Sequence, residues 1–328
     1  MRGFRYLRAV DPAAALQAAG TPGAAFIGGG TTLIDLMKLG VESPETLIDV
    51  NHVDPGAAIE DLPDGGLRIA AGARNSDVAY HSSVRARFPA LSEALLAGAS
   101  PQLRNMATVG GNLMQRTRCA YFRDVAVGEC NKRAPGSGCA AQGGWTRMHA
   151  ILGGSPRCIA AHPSDMCVAM VALDAVVHTQ GPRGARQIAI ADFHTLPADH
   201  PEIETALEHG ELITHVTLPA APFASRSGYV KVRDRAAFAF ALASAAVAVD
   251  LHAGRMRAVR VALGGVATKP WRSREAEAVL VGQPARRSSF EHAAAAALRG
   301  ADVRPDNEFK VKLAQRALVR ALETVVGR

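Results

Sequence analysis

An α+β enzyme of two or three domains is what this sequence predicts, and three observations predict it. The 328 residues, 48% of them hydrophobic, exceed what one small domain needs for its core. Aromatics are only 5% and alanine is plentiful, so the core should be small aliphatic side chains packed between helices and sheets. Segments of strand alternation and of helical spacing are interspersed, with a proline-bearing break at 219–222.

The elements follow in order. Residues 11–19 read as a short helix, with Asp11 as N-cap and Pro12 at its first position. A strand at 24–27 runs into a glycine turn, after which Leu33, Leu36, Met37 and Leu39 repeat at helical spacing as far as Gly40. Leu67, Ile69 and Ala71 alternate as in a half-buried strand, with helical stretches at 76–82 and 90–97 and a second glycine loop at 108–112. From 116 to 158 the chain is irregular and rich in Cys, Gly, Arg and Pro, the mark of a long functional loop that something must hold together. A helix at 164–173 precedes a hairpin whose strands, 176–178 and 187–190, flank the turn 181–184, and a strand is expected at 211–218. Beyond the break, 229–232, 243–251 and 258–263 look like strands of a meander, followed by helices ending in 309–325.

Composition excludes several classes. The formal charge is +7, but the arginines are scattered and no basic run interleaves with aromatics, which argues against nucleic-acid binding. Charges interrupt the first sixteen residues, and no later stretch reaches about 18 uninterrupted apolar residues, so neither a secretory signal nor a membrane span is expected.

A glycine run between strand and helix lets backbone amides approach phosphates. The run Gly28, Gly29, Gly30, Thr31, Thr32 is not a Rossmann fingerprint, because Leu33 stands where a third glycine is needed, and it lacks the Gly-Lys-Ser/Thr ending of a P-loop. The pair of loops is more specific. FIGGGTTLIDLMK at 26–38 and RNMATVGGN at 104–112 resemble the FAD subunits of the xanthine dehydrogenase, carbon monoxide dehydrogenase and aldehyde oxidoreductase group, the molybdenum hydroxylases. The resemblance continues through HPSD at 162–165, GYVKVR at 228–233 and LGGVATKPWR at 263–272, nearly the whole chain.

That resemblance implies a two-lobed FAD-binding domain of the vanillyl-alcohol-oxidase/PCMH type over 1–221, with lobes of about 1–57 and 58–221. A small C-terminal α+β domain, an antiparallel sheet plus helices, would follow over 224–328. It implies cofactor contacts from Phe26, Ile27, Gly28, Gly29, Gly30, Thr31, Thr32, Leu33 and Ile34 on one side of the pyrophosphate and ribityl chain. Thr108, Gly110, Gly111 and Asn112 would lie on the other side. Asp165 would accept hydrogen bonds from flavin hydroxyls, Ile213 would pack near the cofactor, and Lys231 would lie beside the isoalloxazine, where a cation favours added negative charge.

Of five cysteines, Cys167 sits in an apolar helix and reads as a small buried hydrophobe, leaving Cys119, Cys130, Cys139 and Cys158 in the irregular loop. Disulfides suit small secreted domains rather than a large enzyme-like chain. The spacings C-x10-C, C-x8-C and C-x18-C match no common zinc or iron-sulfur motif and leave both open. The segments QRTRCAYF at 115–122, CNKRAPGSGC at 130–139 and RMHA at 147–150 resemble the bacterial periplasmic aldehyde oxidoreductase branch, whose FAD subunit carries a 4Fe-4S insertion here. The resemblance thus implies the four loop cysteines as thiolate ligands. Arg116, Arg118, Lys132, Arg133 and Arg157 would offset their charge, and Gly136 and Gly138 would let amides approach the sulfurs.

The function implied is electron transfer through FAD with no catalytic side chain of its own. A large molybdenum-cofactor subunit would hold the substrate site, a small 2Fe-2S subunit would relay electrons, and an external acceptor would receive them. Two rivals are a self-contained FAD oxidase or dehydrogenase and an FAD subunit or scaffold with a structural zinc loop. No leader is expected in this chain, so the similar aldehyde enzymes imply periplasmic location by co-export on a partner's twin-arginine signal, with the cytoplasm as the alternative.

Overall fold

The computed structural model describes residues 1–53, 58–221 and 223–328. The expected lobe boundary at 57 and the end of the expected break at 222 lie outside the described residues. The first unit contains β1 (Arg5–Arg8), α1 (Pro12–Ala19), β2 (Ala24–Ile27), α2 (Leu33–Lys38) and β3 (Thr46–Asp49). Asp11 caps α1 by accepting from the Ala14 amide at 2.7 Å, as its position before Pro12 predicts. The strands form a parallel sheet in the order β1-β3-β2. Parallel neighbours require crossovers, and α2 supplies one of them directly after the glycine turn.

The second unit comprises β4 (Ile59–Asp61), β5 (Leu67–Ala70), α3 (Asn75–Tyr80), α4 (Ser82–Arg87), α5 (Pro89–Ala97), α6 (Pro101–Met106) and α7 (Val109–Leu113). It continues through α8 (Ala120–Arg123), α9 (Asp165–Ala172), β6 (Val176–Gly181), β7 (Gly184–Ala189), α10 (Ile190–Phe193) and β8 (Leu212–Leu218). The sheet order is β4-β5-β8-β6-β7, antiparallel throughout. The helix expected at 76–82 is two helices instead, because His81 takes an extended conformation (ψ 133°) that ends α3 and opens α4. The hairpin strands reach the turn itself, pairing Gly181 with Gly184, and the second one ends at Ala189 where α10 begins.

The third unit is a sheet of order β12-β11-β10-β9, built from β9 (Ser227–Val232), β10 (Ala243–His252), β11 (Arg255–Gly264) and β12 (Trp271–Arg272). It is followed by α11 (Arg274–Leu280), α12 (Arg287–Ala297) and α13 (Phe309–Val326). Alternation along β10 serves two cores. Ala243, Ala245, Val247 and Val249 join the α12 and α13 side, whereas Ala246 faces the core of the second unit.

All eight residues of α9 are buried. A helix apolar all round must be covered all round, and α9 packs against α5, α7 and α10 and against β10, β11 and β12 of the third unit. The chain is therefore layered as sheet, helices with α9 at the centre, second sheet, helices. Small residues make the layers fit: a Cβ on Gly264 would meet Val168 Cγ2 at 2.5 Å.

Lys310, at the start of α13, is fully buried and donates from Nζ to the carbonyls of His149 at 2.9 Å and Gly265 at 2.8 Å. Burial, then the nearby Arg147, pushes its pKa down to about 7. A base with a lower pKa folded than unfolded binds fewer protons in the native state, so its contribution to stability grows as pH rises from about 7 toward the ordinary lysine value. Urea midpoints should therefore climb between pH 7 and about 9.5, by up to about 1.4 kcal/mol per pH unit from this group. Lys310→Met should remove that part of the slope; identical slopes in the two proteins would show that the ammonium is not destabilised by burial.

Candidate functional site

The two glycine loops meet each other. Gly29 packs so closely on the 106–107 backbone that a Cβ there would lie 1.9 Å from Met106 O, and Gly30 has φ +70°, a conformation glycine adopts without strain. Asn51, which the sequence reading missed, pins the turn by donating from Nδ2 to Gly28 O at 3.0 Å and to Asp49 Oδ1 at 2.7 Å. Nothing in the local pattern marks Asn51, since its partner is 23 residues away.

The amides of the two loops differ. At the first turn, Ile34 N bonds to Gly30 O, but among the described residues the amides of Gly29, Gly30, Thr31, Thr32 and Leu33 have no intramolecular acceptor. A row of free N–H groups opening a helix is an anion cradle. In the second loop Gly110 N bonds to Ala71 O, Asn112 N to Thr108 O and Gly111 N to Thr108 Oγ1. The first ties α7 to the residue that follows β5, and the other two close the first turn of α7 on Thr108. The residues thus fit the phosphates of a dinucleotide at the first turn, with the second loop as its support.

The second loop is tied to α9. Ser164 Oγ donates to Asn112 Oδ1 at 2.7 Å and caps α9 by accepting from Cys167 N at 3.1 Å. Asp165 follows, buried, and accepts from two residues of β9. Tyr229 OH donates to Oδ1 at 2.5 Å and Lys231 Nζ to Oδ2 at 2.7 Å, and Lys231 also reaches Ala97 O at 3.1 Å. Strand register makes the arrangement, since Lys231, Ser244 and Gly264 lie in one row across β9, β10 and β11, and Tyr229 is two residues from Lys231 on the same face. Lys231 is no surface lysine: its side chain is 3% exposed. Burial and the Asp165 charge push the Tyr229 phenol well up, so it stays protonated and donates. Ile213 is buried in the core of the second unit.

The four loop cysteines are free thiols that all line one small cavity together with Phe122 and Lys132. Burial first, and then the neighbouring thiols, raise Cys119 to about 11; burial raises Cys158 as well, against the attraction of Lys132. Such thiols need a bound cation or cluster to be held as thiolates. A second cavity, about 60 Å³, has Cys119 and His149 on one wall and Ser164 and Asp165 on another. A third, about 210 Å³, is lined by Cys158, Lys132, His162 and His194, among others, and by none of the expected flavin contacts.

The basic residues of the loop act differently from their expected role. Arg116 pairs with Glu42 and Glu204, Lys132 with Glu204 at 2.8 Å, and Arg118 and Arg123 with Asp35 at 3.1 and 2.8 Å. Arg133 donates to the carbonyls of Tyr121, Phe122, Asp124 and Val127, and Arg157 is half-exposed near Asp199. They are the ties that hold the loop; Lys132 alone also acts on a thiol. Gly136 and Gly138 direct their amides to Asn131 Oδ1 at 3.1 and 2.9 Å rather than to sulfur.

Among the described residues, the only His/Cys/carboxylate group with ligand atoms all within 4.8 Å of one another is His162, Cys167 and His194. It suits a cation poorly. Ser164 N donates to His162 Nδ1, which puts the proton on Nε2; burial lifts the Cys167 thiol to about 12; and Lys132 and Lys269 add positive charge nearby.

An amide cradle, a buried polar trio at a domain seam and a thiol-lined cavity define a cofactor-binding oxidoreductase. Residues 2–221 match the family described as the FAD binding domain in molybdopterin dehydrogenase, and 228–325 match the CO dehydrogenase flavoprotein C-terminal domain. The chain is 52% identical over 324 residues, 98% of each protein, to the aldehyde oxidoreductase FAD-binding subunit PaoB of Escherichia coli (strain K12). It is 28% identical to the carbon monoxide dehydrogenase medium chain of Afipia carboxidovorans, over 92% of this chain and 88% of that one. In fold it resembles a chain of carbon monoxide dehydrogenase from Hydrogenophaga pseudoflava, with TM-score 0.77 and 24% identity over 99% of this chain and 98% of that one. The protein belongs to the FAD-binding subunits of the molybdenum hydroxylase family, oxidoreductases with an FAD-binding domain followed by a C-terminal antiparallel sheet and helices.

Removing one partner of a buried ion pair leaves the other charge uncompensated, at a cost of about 3–5 kcal/mol. Lys231→Met should therefore lower unfolding free energy in urea by that order. Adding Asp165→Asn should recover part of the loss, and a fully additive double variant would show that the two groups are uncoupled.

Proposed function

We propose that this chain is the FAD and 4Fe-4S electron-transfer subunit of a molybdenum-containing aldehyde oxidoreductase. The observation that carries the reading is that Cys119 belongs both to the cavity lined by four thiols and to the cleft lined by Asp165, so the two cofactor sites would share a wall. The similarity to an aldehyde oxidoreductase subunit, 52% identical, supports the substrate class of the assembly.

When bound, FAD and an iron-sulfur cluster would supply the redox chemistry. The chain's own residues would do the holding. The amides of residues 29–33 would bind the pyrophosphate, with Phe26, Ile27 and Ile34 flanking it and Thr108 to Asn112 bracing the turn. Asp165 would accept from ribityl hydroxyls and Ile213 would give an apolar contact. The charge of Lys231 is compensated by Asp165, so the pair would present a nearly neutral edge to the flavin. This reading divides the chain into an FAD-binding domain, 1–221, and a C-terminal domain, 224–328.

A single zinc ion is disfavoured by the same geometry. Tetrahedral zinc with bonds of about 2.3 Å needs sulfurs about 3.8 Å apart, and the loop sulfurs do not form a group within 4.8 Å. A four-iron cube needs a wider set. A self-contained oxidase would need an acid or base over the flavin, and the candidate there, Asp165, is already bonded to Tyr229 and Lys231.

The partners of this reading are a large molybdenum-cofactor subunit, a small 2Fe-2S subunit and an external acceptor, in a complex exported to the periplasm on a partner's signal. No helix among the described residues is long and apolar enough to cross a membrane.

The purified protein should show flavin bands on a broad iron-sulfur shoulder, with about four irons per chain. Flavin with zinc or with no metal would overturn the cluster, and absence of flavin the whole proposal. Cys130→Ser should lose iron and keep FAD, whereas Asp165→Ala should keep iron and retain FAD several-fold less tightly; unchanged iron in the first or full flavin in the second would strike that residue from the site.

A further inference from the structure

His149 lies where the cysteine loop meets the third unit. Its ring is 4% exposed, and Nε2 is 3.2 Å from Cys119 Sγ. Among the described residues this is the only side-chain hydrogen bond to any of the four loop sulfurs; Cys158 Sγ receives only a backbone amide, from Ala160 at 3.5 Å. Nδ1 of the same ring is buried and makes no close hydrogen bond, and the other polar group that faces the imidazole is the Thr146 carbonyl.

The ring is held in place by its backbone and its neighbours. His149 N bonds to Thr146 O at 2.8 Å, and His149 O accepts from Lys310 Nζ. Tyr121 lies against the ring, with centroids 6.0 Å apart, and its phenol oxygen accepts from Trp145 N at 2.6 Å. A thiolate can only accept, so beside a deprotonated Cys119 the ring nitrogen that faces it, Nε2, carries a proton pointed at sulfur.

We propose that His149 is a positioning residue that donates from Nε2 to the Cys119 thiolate and thereby raises the reduction potential of the cluster on the side facing the flavin cleft. This rests on the four-thiolate cluster reading above. Reduction places more negative charge on the sulfurs, and a fixed donor stabilises that charge more than the oxidised state's, so hydrogen bonds to ligand sulfur raise the potential. The donor is buried, so its effect is screened by salt less than a surface cation's would be.

The test compares the intact protein with His149→Leu and His149→Gln, measuring iron, flavin and the cluster's midpoint potential by anaerobic titration followed by electron paramagnetic resonance. The expected result is full iron and FAD in all three, a negative shift in the leucine variant, and return toward wild type in the glutamine variant, whose amide can donate. An unmoved potential in the leucine variant, or equal shifts in both, overturns the donor role. If leucine costs the iron, the glutamine variant and His149→Phe, which keeps the ring against Tyr121, carry the comparison; iron lost from all of them makes the residue a strut of the loop and overturns the proposal. Wild-type protein with flavin and no iron would instead sink the cluster reading itself, a result distinct from iron-loaded protein with an unmoved potential.

Discussion

A carboxylate buried at the first turn of α9 must find donors, and the way Asp165 finds them organises the molecule. An ionised group taken out of water costs several kcal/mol unless it is paired and hydrogen-bonded. Both of its side-chain donors, Tyr229 and Lys231, come from β9 of the third unit, more than sixty residues along the chain. The preceding residue, Ser164, is bonded to Asn112 in the second glycine loop, and that loop is pressed against Gly29 of the first turn. Four segments distant in sequence thus meet within a few bonds, and a shift of any one unit against another leaves a buried charge unpaired. The third unit is in this sense part of the site rather than an appendage to it.

The cysteine loop is organised by charge more than by apolar area. Its own core is small, Leu36, Phe122 and Cys130 with a few partly buried neighbours. Arg116 joins Glu42 of the first unit to Glu204 of the second, and Glu204 also holds Lys132. Glu204 stays ionised because Lys132 and Arg116 outweigh the cost of its burial. Networks in which partly buried arginines bridge or share carboxylates count for more than isolated surface pairs. They explain how a long segment with little periodicity takes one conformation, with its thiols converging, before any ligand is considered.

What could be read from the sequence followed the range of the interaction. The glycine turns, the Asp11 cap, the apolar run of α9 after Asp165 and the meander of β9 to β11 were legible because periodicity and capping are local. Strands β1 and β3 were not, being four residues each in a parallel sheet where pairing is set by neighbours far away. The residues that complete the site, Asn51, Tyr229 and His149, carry no local signal, since each acts on a partner 23, 64 and 30 residues distant. Family resemblance singled out Lys231 and Asp165 as expected cofactor contacts, but not that they bond each other. It also assigned the loop's arginines and glycines to the sulfurs, where geometry gives most of them to carboxylates and backbone.

The alanine-rich composition has a consequence for precision. β10 presents Ala243, Ala245, Val247 and Val249 to α13 and Ala246 to the second unit's core, so helices approach both faces closely. Small, branched or short side chains have few rotamers to lose and little room to rearrange, so interleaved layers transmit position faithfully. Larger residues at these points would push α9 off the sheet, and Gly264, whose Cβ would strike Val168, shows how little space remains. A site assembled from three units can hold hydrogen bonds near 2.7 Å across their seams only if those seams are this tight. The low aromatic content is then the condition under which Asp165, Tyr229 and Lys231 meet, and through Lys310 and His149 the same packing fixes the ring that addresses Cys119.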